Sequence, residues 1–213
     1  MTTARQENAR TLAAAIGMVE AQAEVLLDAQ VLVTFGPTGA PLADLIHKIL
    51  SRTLSNVVTR PRESPPAVEL VIGKAVPRSQ APIIGVSVDQ YKLEVRDGRV
   101  DRDVYGPRIV ELLAACYASA AAVQRALPVE FPIPLRLPIE VDLDVLLGEH
   151  ASVLAGPIEL GTAYLAGAGA IGNGFLLGLS TLTFVESYTC AILTPQAQEI
   201  SIAATGSPQP TWA

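Results

Sequence analysis

Ala163-Tyr164-Leu165-Ala166-Gly167-Ala168-Gly169-Ala170-Ile171-Gly172-Asn173-Gly174-Phe175-Leu176-Leu177-Gly178-Leu179-Ser180-Thr181-Leu182 is the stretch on which the reading of the fold turns. Its first four residues are a short apolar run suited to a buried strand. Gly167 to Gly172 spell G-x-G-x-x-G, and Asn173 to Leu182 continue at helical spacing. A strand, a glycine turn and a helix in that order form the opening unit of a nucleotide-binding α/β domain. The first glycine permits a tight turn, the second lets backbone approach a phosphate, and the third lets helix and strand pack closely. The helix start then offers free N–H groups and the positive end of its dipole to an anion. Gly167, Gly169, Ala170, Ile171 and Gly172 are the expected cofactor-binding residues.

Upstream, residues 3 to 27 read as one helix, with Leu12, Ala15, Ile16, Val19, Ala23 and Leu26 on one side. Val31 to Phe35 follows as a strand, and Pro41 opens an amphipathic helix carrying Leu42, Leu45, Ile46, Ile49, Leu50 and Leu54. Residues 59 to 66 are polar and Pro-containing, hence a surface loop. Val68–Ile72, Ile83–Val88 and Tyr91–Val95 are β-like runs, with Asp97-Gly98 as a turn. A long apolar helix is expected from Arg108 to about Leu127. Pro128 to Pro138 holds four prolines and reads as an extended linker, and Asp142 to Leu147 as a short helix. The fold class is therefore α/β, with a mixed α/β domain over residues 1–150 and an incomplete Rossmann-like segment over 151–213.

The bulk composition narrows the function classes. The chain has 213 residues, of which 50% are hydrophobic and 17% charged, enough for a sizeable core and too apolar for general disorder. Its net charge is −6, and Lys and Arg are scattered without a basic tract, so no nucleic-acid partner is expected. No run of about 18 apolar residues is free of charges and of Pro and Gly clusters, so no membrane span is expected. The amino terminus carries no signal-peptide pattern. Cys116 and Cys190 have no metal or CxxC spacing, and Cys116 reads as a small core residue of a protein in a reducing cytoplasm.

Leu165 to Asn173 followed by an apolar helix resembles the start of the ThiF/MoeB/ubiquitin-activating-enzyme family of adenylyltransferases. The resemblance covers about Tyr164 to Leu182. In that family the glycine turn binds ATP phosphates with magnesium, and the enzyme adenylates the carboxy-terminal glycine of a ubiquitin-like or sulfur-carrier protein. The family continues with a strand ending D-x-D, five residues, then N-L-N-R or N-L-Q-R. Here Ser187 to Leu193 reads as a strand but ends in Thr194-Pro195-Gln196, and only Gly167, Gly169 and Gly172 carry over.

The genetic code offers a reason for the missing residues. Asp and Asn codons end in AT or AC. In a frame starting at the third base of each present codon, Ile192 and Thr194 permit Asp-x-Asp, and Ile200 and Ile202 permit Asn-x-Asn. From Val185 the shifted string can read GKLHVRDPDAAGAGNLNR, with some positions degenerate, in register with the glycine turn. Residues after about Thr183 are thus expected to be the out-of-frame end of a truncated member of the family, and the chain itself to be catalytically incompetent. The same glycine turn equally suits NAD or FAD in an oxidoreductase, and a third reading is a non-catalytic module. A homodimer is expected in each case, because an incomplete sheet leaves an unpaired edge.

Other features carry less. Gly36-Pro37-Thr38-Gly39-Ala40-Pro41 joins strand to helix but lacks the lysine of a phosphate loop, so it reads as a plain connection. His47 and His150 have no acidic or cysteine residue at ligand spacing, and no metal site is expected. Asp101 with Asp103, and Asp142 with Asp144, read as solvated acids. Ser180 and Ser187 have no histidine arrangement for nucleophilic catalysis.

Overall fold

The structure, a computed structural model, describes residues 3–156, 162–166, 178–180, 188–193 and 199–204. The chain divides into two compact units, one of residues 1–106 and 110–146, the other of 107–109 and 147–213.

The fold is α/β, as its alternating strands and helices imply. Two helices open the first unit, α1 (Ala4–Ile16) and α2 (Glu20–Leu26), in place of the single helix expected from 3 to 27. The break is at Gly17, whose φ of 69° closes α1 in the left-handed conformation that glycine adopts without a Cβ penalty. Thr3 caps α1 reciprocally with Gln6. Then come β1 (Gln30–Phe35), a 3-10 turn (Pro37–Gly39), α3 (Ala40–Leu50), β2 (Asn56–Val58), β3 (Val68–Ile72), β4 (Ile83–Asp89), β5 (Lys92–Asp97), β6 (Val104–Tyr105), α4 (Arg108–Ala126), β7 (Ile139–Asp142) and α5 (Leu143–Leu147).

These strands make a sheet in the order β2-β1-β3-β4-β5-β7, with β6 also on β4. β2, β1, β3 and β4 run parallel, while β5 and β7 are each antiparallel to their inner neighbour. Strands buried on both faces read as continuous apolar runs, and Val31, Leu32, Val33, Leu70, Val71, Ile72, Ile84, Val86 and Val88 are all essentially inaccessible. Each such side chain contributes about 1.5–3 kcal/mol of burial. α3 packs against β1 and buries Leu42, Leu45, Ile46 and Leu50.

Residues 128 to 138 are an internal connection: they lead to β7, which returns to pair with β5 from Lys92↔Asp142 to Val95↔Ile139. α4 is long and apolar enough to cross a membrane by length and composition, but half of its most apolar window is buried inside the fold. Cys116 on α4 is exposed, contrary to its reading as a core residue, because the helix turns Ala114, Ala115, Ala118, Ala121 and Ala122 inward instead.

In the second unit, Gly148–Ala155 forms a 3-10 segment. β8 (Thr162–Ala166) pairs in parallel with β9 (Tyr188–Leu193), which pairs antiparallel with β10 (Glu199–Ala204). β10 is not among the strands expected from the sequence.

Candidate functional site

The glycine turn Gly167-Ala168-Gly169-Ala170-Ile171-Gly172 lies outside the described residues. Its flanks are described. β8 ends at Ala166, immediately before the first glycine, and the next strand, β9, is parallel to it in the register Thr162↔Thr189 to Ala166↔Leu193. Gly178 and Leu179 between them are helical. Two parallel strands with helical residues in the crossover are the setting in which a glycine turn faces a ligand.

In the first unit the topology implies a ligand crevice at the switch point of the sheet. Chain order reverses direction between β1 and β3, so the switch point of its parallel sheet lies at the carboxyl ends of those strands. The turn Gly36-Pro37-Thr38-Gly39 leaves β1 at that point and leads into α3. Gly39 packs so closely that a Cβ there would stand 2.8 Å from Cγ2 of Ile72 at the end of β3. The space beyond β3 is taken. β5 covers one edge of β4 from Gly85 to Asp89, and β3 covers the other only as far as Val86. β6, which pairs with Val88 and Asp89, therefore sits on the β3 edge just past its end, and it lies against the turn.

Behind the crevice, Glu69 on β3 is fully buried. Its Oε1 accepts from Thr34 Oγ1 (2.6 Å) and the Arg78 N–H (2.8 Å), and its Oε2 from the Ser79 N–H (2.8 Å) and Ser79 Oγ (2.7 Å). Sequence reasoning missed this residue. The sign available was one acid inside the otherwise apolar run Val68-Glu69-Leu70-Val71-Ile72. With both oxygens engaged, its role is to hold the β3–β4 connection to the sheet.

Across the β4–β5–β7 end, Ser87, Asp89, Lys92, Glu94, Arg96, Glu140 and Asp142 line a surface groove of about 750 Å³. Lys92 pairs with Asp142 at 2.8 Å and Arg96 with Glu94 at 3.2 Å. The hydrogen bond between Lys92 and Asp142 raises the ammonium pKa and holds the carboxyl below its ordinary range. Glu94 stands directly across from Glu140 in the strand register. The groove is thus lined mainly by charged side chains, Arg99, Asp101 and Arg102 among them.

The remaining candidates resolve simply. His47 is exposed, with Nδ1 3.4 Å from Ser51 Oγ, and His150 is exposed. Among the described residues, no group of three His, Cys, Asp or Glu stands close enough to hold a metal. Asp101 and Asp103 are exposed, and Asp103 pairs with Lys74 at 2.9 Å. Partial desolvation keeps the Cys116 thiol above its ordinary pKa, which disfavours the reactive thiolate.

Residues 1–148 match the family model of the E1 N-terminal domain, E1-N. The chain belongs to the E1-N family. The matched span takes in every strand of the first unit's sheet, so the E1 N-terminal domain here is the β2-β1-β3-β4-β5-β7 sheet with its helices. No curated protein matches the chain. The relation to ubiquitin-activating, ThiF-like enzymes expected from Tyr164–Leu182 thus finds its support in a different part of the chain, upstream of the glycine turn.

Proposed function

We propose that this chain carries the amino-terminal domain of an E1-like, ThiF-type activating enzyme followed by the opening unit of its adenylation domain. The full-length parent binds ATP and magnesium and adenylates the carboxy-terminal glycine of a ubiquitin-like or sulfur-carrier protein. The observation that carries this reading is the order of the two features: an E1 N-terminal domain over 1–148, then G-x-G-x-x-G at 167–172 directly after β8. Gly167, Gly169, Ala170, Ile171 and Gly172 would receive the ATP phosphates through backbone N–H groups. The nicotinamide or flavin reading rests on the glycine turn alone, whereas the ThiF-type reading has the E1 N-terminal domain beside it.

The chain as written lacks the Asp, Asn and Arg residues of the family's later motifs. It is therefore expected to show no ATP–pyrophosphate exchange with any glycine-terminated carrier protein. The gene from the Ser180 codon onward, read in its neighbouring frame, is expected to encode D-x-D and N-L-N-R. The protein made from that frame is expected to show exchange, and Gly169→Val to abolish it. A neighbouring frame without those motifs, or a restored protein without exchange, would refute the reading. Self-association through the second unit and residence in the cytoplasm belong to the same proposal. Sedimentation equilibrium of the chain, returning a monomer mass at tens of micromolar, would remove the first of these.

A further inference from the structure

We infer that the segment Gly98–Gly106 is a built-in occupant of the ligand crevice of the first α/β unit, so that this unit takes no nucleotide. Three observations converge. β6 pairs as Val88↔Val104 and Asp89↔Tyr105 in the position that β3 vacates, beside the 3-10 turn at the switch point. A phosphate presented to the Gly36–Gly39 turn would have to displace it.

The second observation is the fit. The segment leaves β5 and crosses β4 at Gly85, where a Cβ would stand 2.5 Å from the Gly98 carbonyl oxygen and 2.9 Å from the Val100 nitrogen. Its far end passes Gly106, where a Cβ would stand 2.8 Å from Cγ1 of Val88 and closer still to the Gln90 carbonyl oxygen. Backbone meets backbone at both crossings, so no side chain can yield. The third observation is how the segment is held. The Gln90 N–H donates to the Tyr105 carbonyl at 2.6 Å, and Asp103 pairs with Lys74 on the β3–β4 connection. A segment that pairs as a strand, crosses at two glycines and is tied at its tip is part of the folded sheet. It leaves the E1 N-terminal domain to act through its outer surfaces.

The test uses the full chain with magnesium and 8-azido-ATP as the probe, photolysed and mapped by peptide mass. The expected result is no label on residues 34–40, 72–76 or 102–106. Label on any of these overturns the inference. Label confined to 162–180 supports both this inference and the nucleotide reading above. Absence of label everywhere counts against that reading and leaves this one standing.

Hydrogen exchange gives an independent readout. The Gln90 amide is expected to exchange only with global opening of the unit, and exchange at the rate of a loop amide would overturn the inference. In Gly106→Ala, exchange at Gln90 is expected to rise at least about tenfold as the segment is expelled. An unchanged rate would contradict the fit at Gly106. Should that variant fail to fold, the labelling and exchange of the unaltered chain decide the matter.

Discussion

Glu69 shows how much one buried carboxylate can organise when each of its oxygens has two donors. Glu69→Gln keeps the shape but turns one oxygen into an NH2 group. Whichever way that amide faces, it points at a backbone N–H, that of Arg78 or that of Ser79. The expected cost is about 1–3 kcal/mol, the desolvation of donors left unmet, measured by urea unfolding. A loss below the error of the measurement would mean that the β3–β4 connection is held by other bonds. The glycines divide in the same way. Gly85→Ala is expected to cost roughly 1–3 kcal/mol, because the backbone of Gly98 and Val100 cannot retreat. Gly36→Ala, with nothing within 4 Å of the new Cβ and an ordinary φ of −90°, should stay within about 0.5 kcal/mol of the parent. Equal effects at the two sites would contradict the close crossing at Gly85. The sequence carries a sign of two of these residues, Gly85 as a glycine in a strand and Glu69 as an acid in an apolar run, but it does not say what each one touches.

Among the elements, α1 and α2 are tied together by Arg5, whose guanidinium bonds Asp28 in a two-pronged pair and also reaches Glu24. That bonding holds the Asp28 carboxyl below its ordinary range. A group whose folded pKa is depressed adds stability above its unfolded pKa and loses it as pH falls through the folded value. Arg5→Met is therefore expected to be less stable than the parent near neutrality, with the gap closing as the medium becomes acidic. The gap should also narrow in high salt, since these groups are exposed. Thermal unfolding across a pH series checks this, and a gap independent of pH would assign the effect to packing. Elements differ in how legible they are. β1, β3, β4 and β5 were each foreseen within a residue or two, because runs such as Val31-Leu32-Val33 and Ile83-Ile84 are apolar and β-branched. β2, β6 and β7 were not. They span two to four residues beside polar or proline-rich segments, where pairing with a distant neighbour, and not local pattern, decides the strand.

For the molecule as a whole, the fold class was legible from alternation alone, while the sheet's outline was not. The prolines from Pro128 to Pro138 interrupt local pattern, yet the chain resumes in β7 and pairs with β5, a match of two strands more than forty positions apart. The candidate nucleotide turn was legible because its signal is local: a strand, three glycines and a helix contiguous in sequence. The occupied crevice of the first unit was not, since it depends on β6 reaching β4 across the end of β3. A fragment of residues 1–148 is expected to unfold cooperatively and alone, having its own sheet and core. A fragment ending at 136 should lose that cooperativity or aggregate, because β5 would present a bare edge. Circular dichroism and light scattering separate these outcomes, and a well-behaved 1–136 fragment would show that β7 is dispensable.

The late position of β7 also sets a clock on synthesis. β5 leaves the ribosome long before the residues that cover its edge, and α4 and the proline-rich connection are made in between. Throughout that interval the nascent sheet carries an open strand, the kind of surface on which neighbouring nascent chains join. Translation that pauses within Pro128–Pro138 prolongs that exposure. The yield of native protein should therefore depend on the speed of decoding through those codons as well as on the stability of the finished fold.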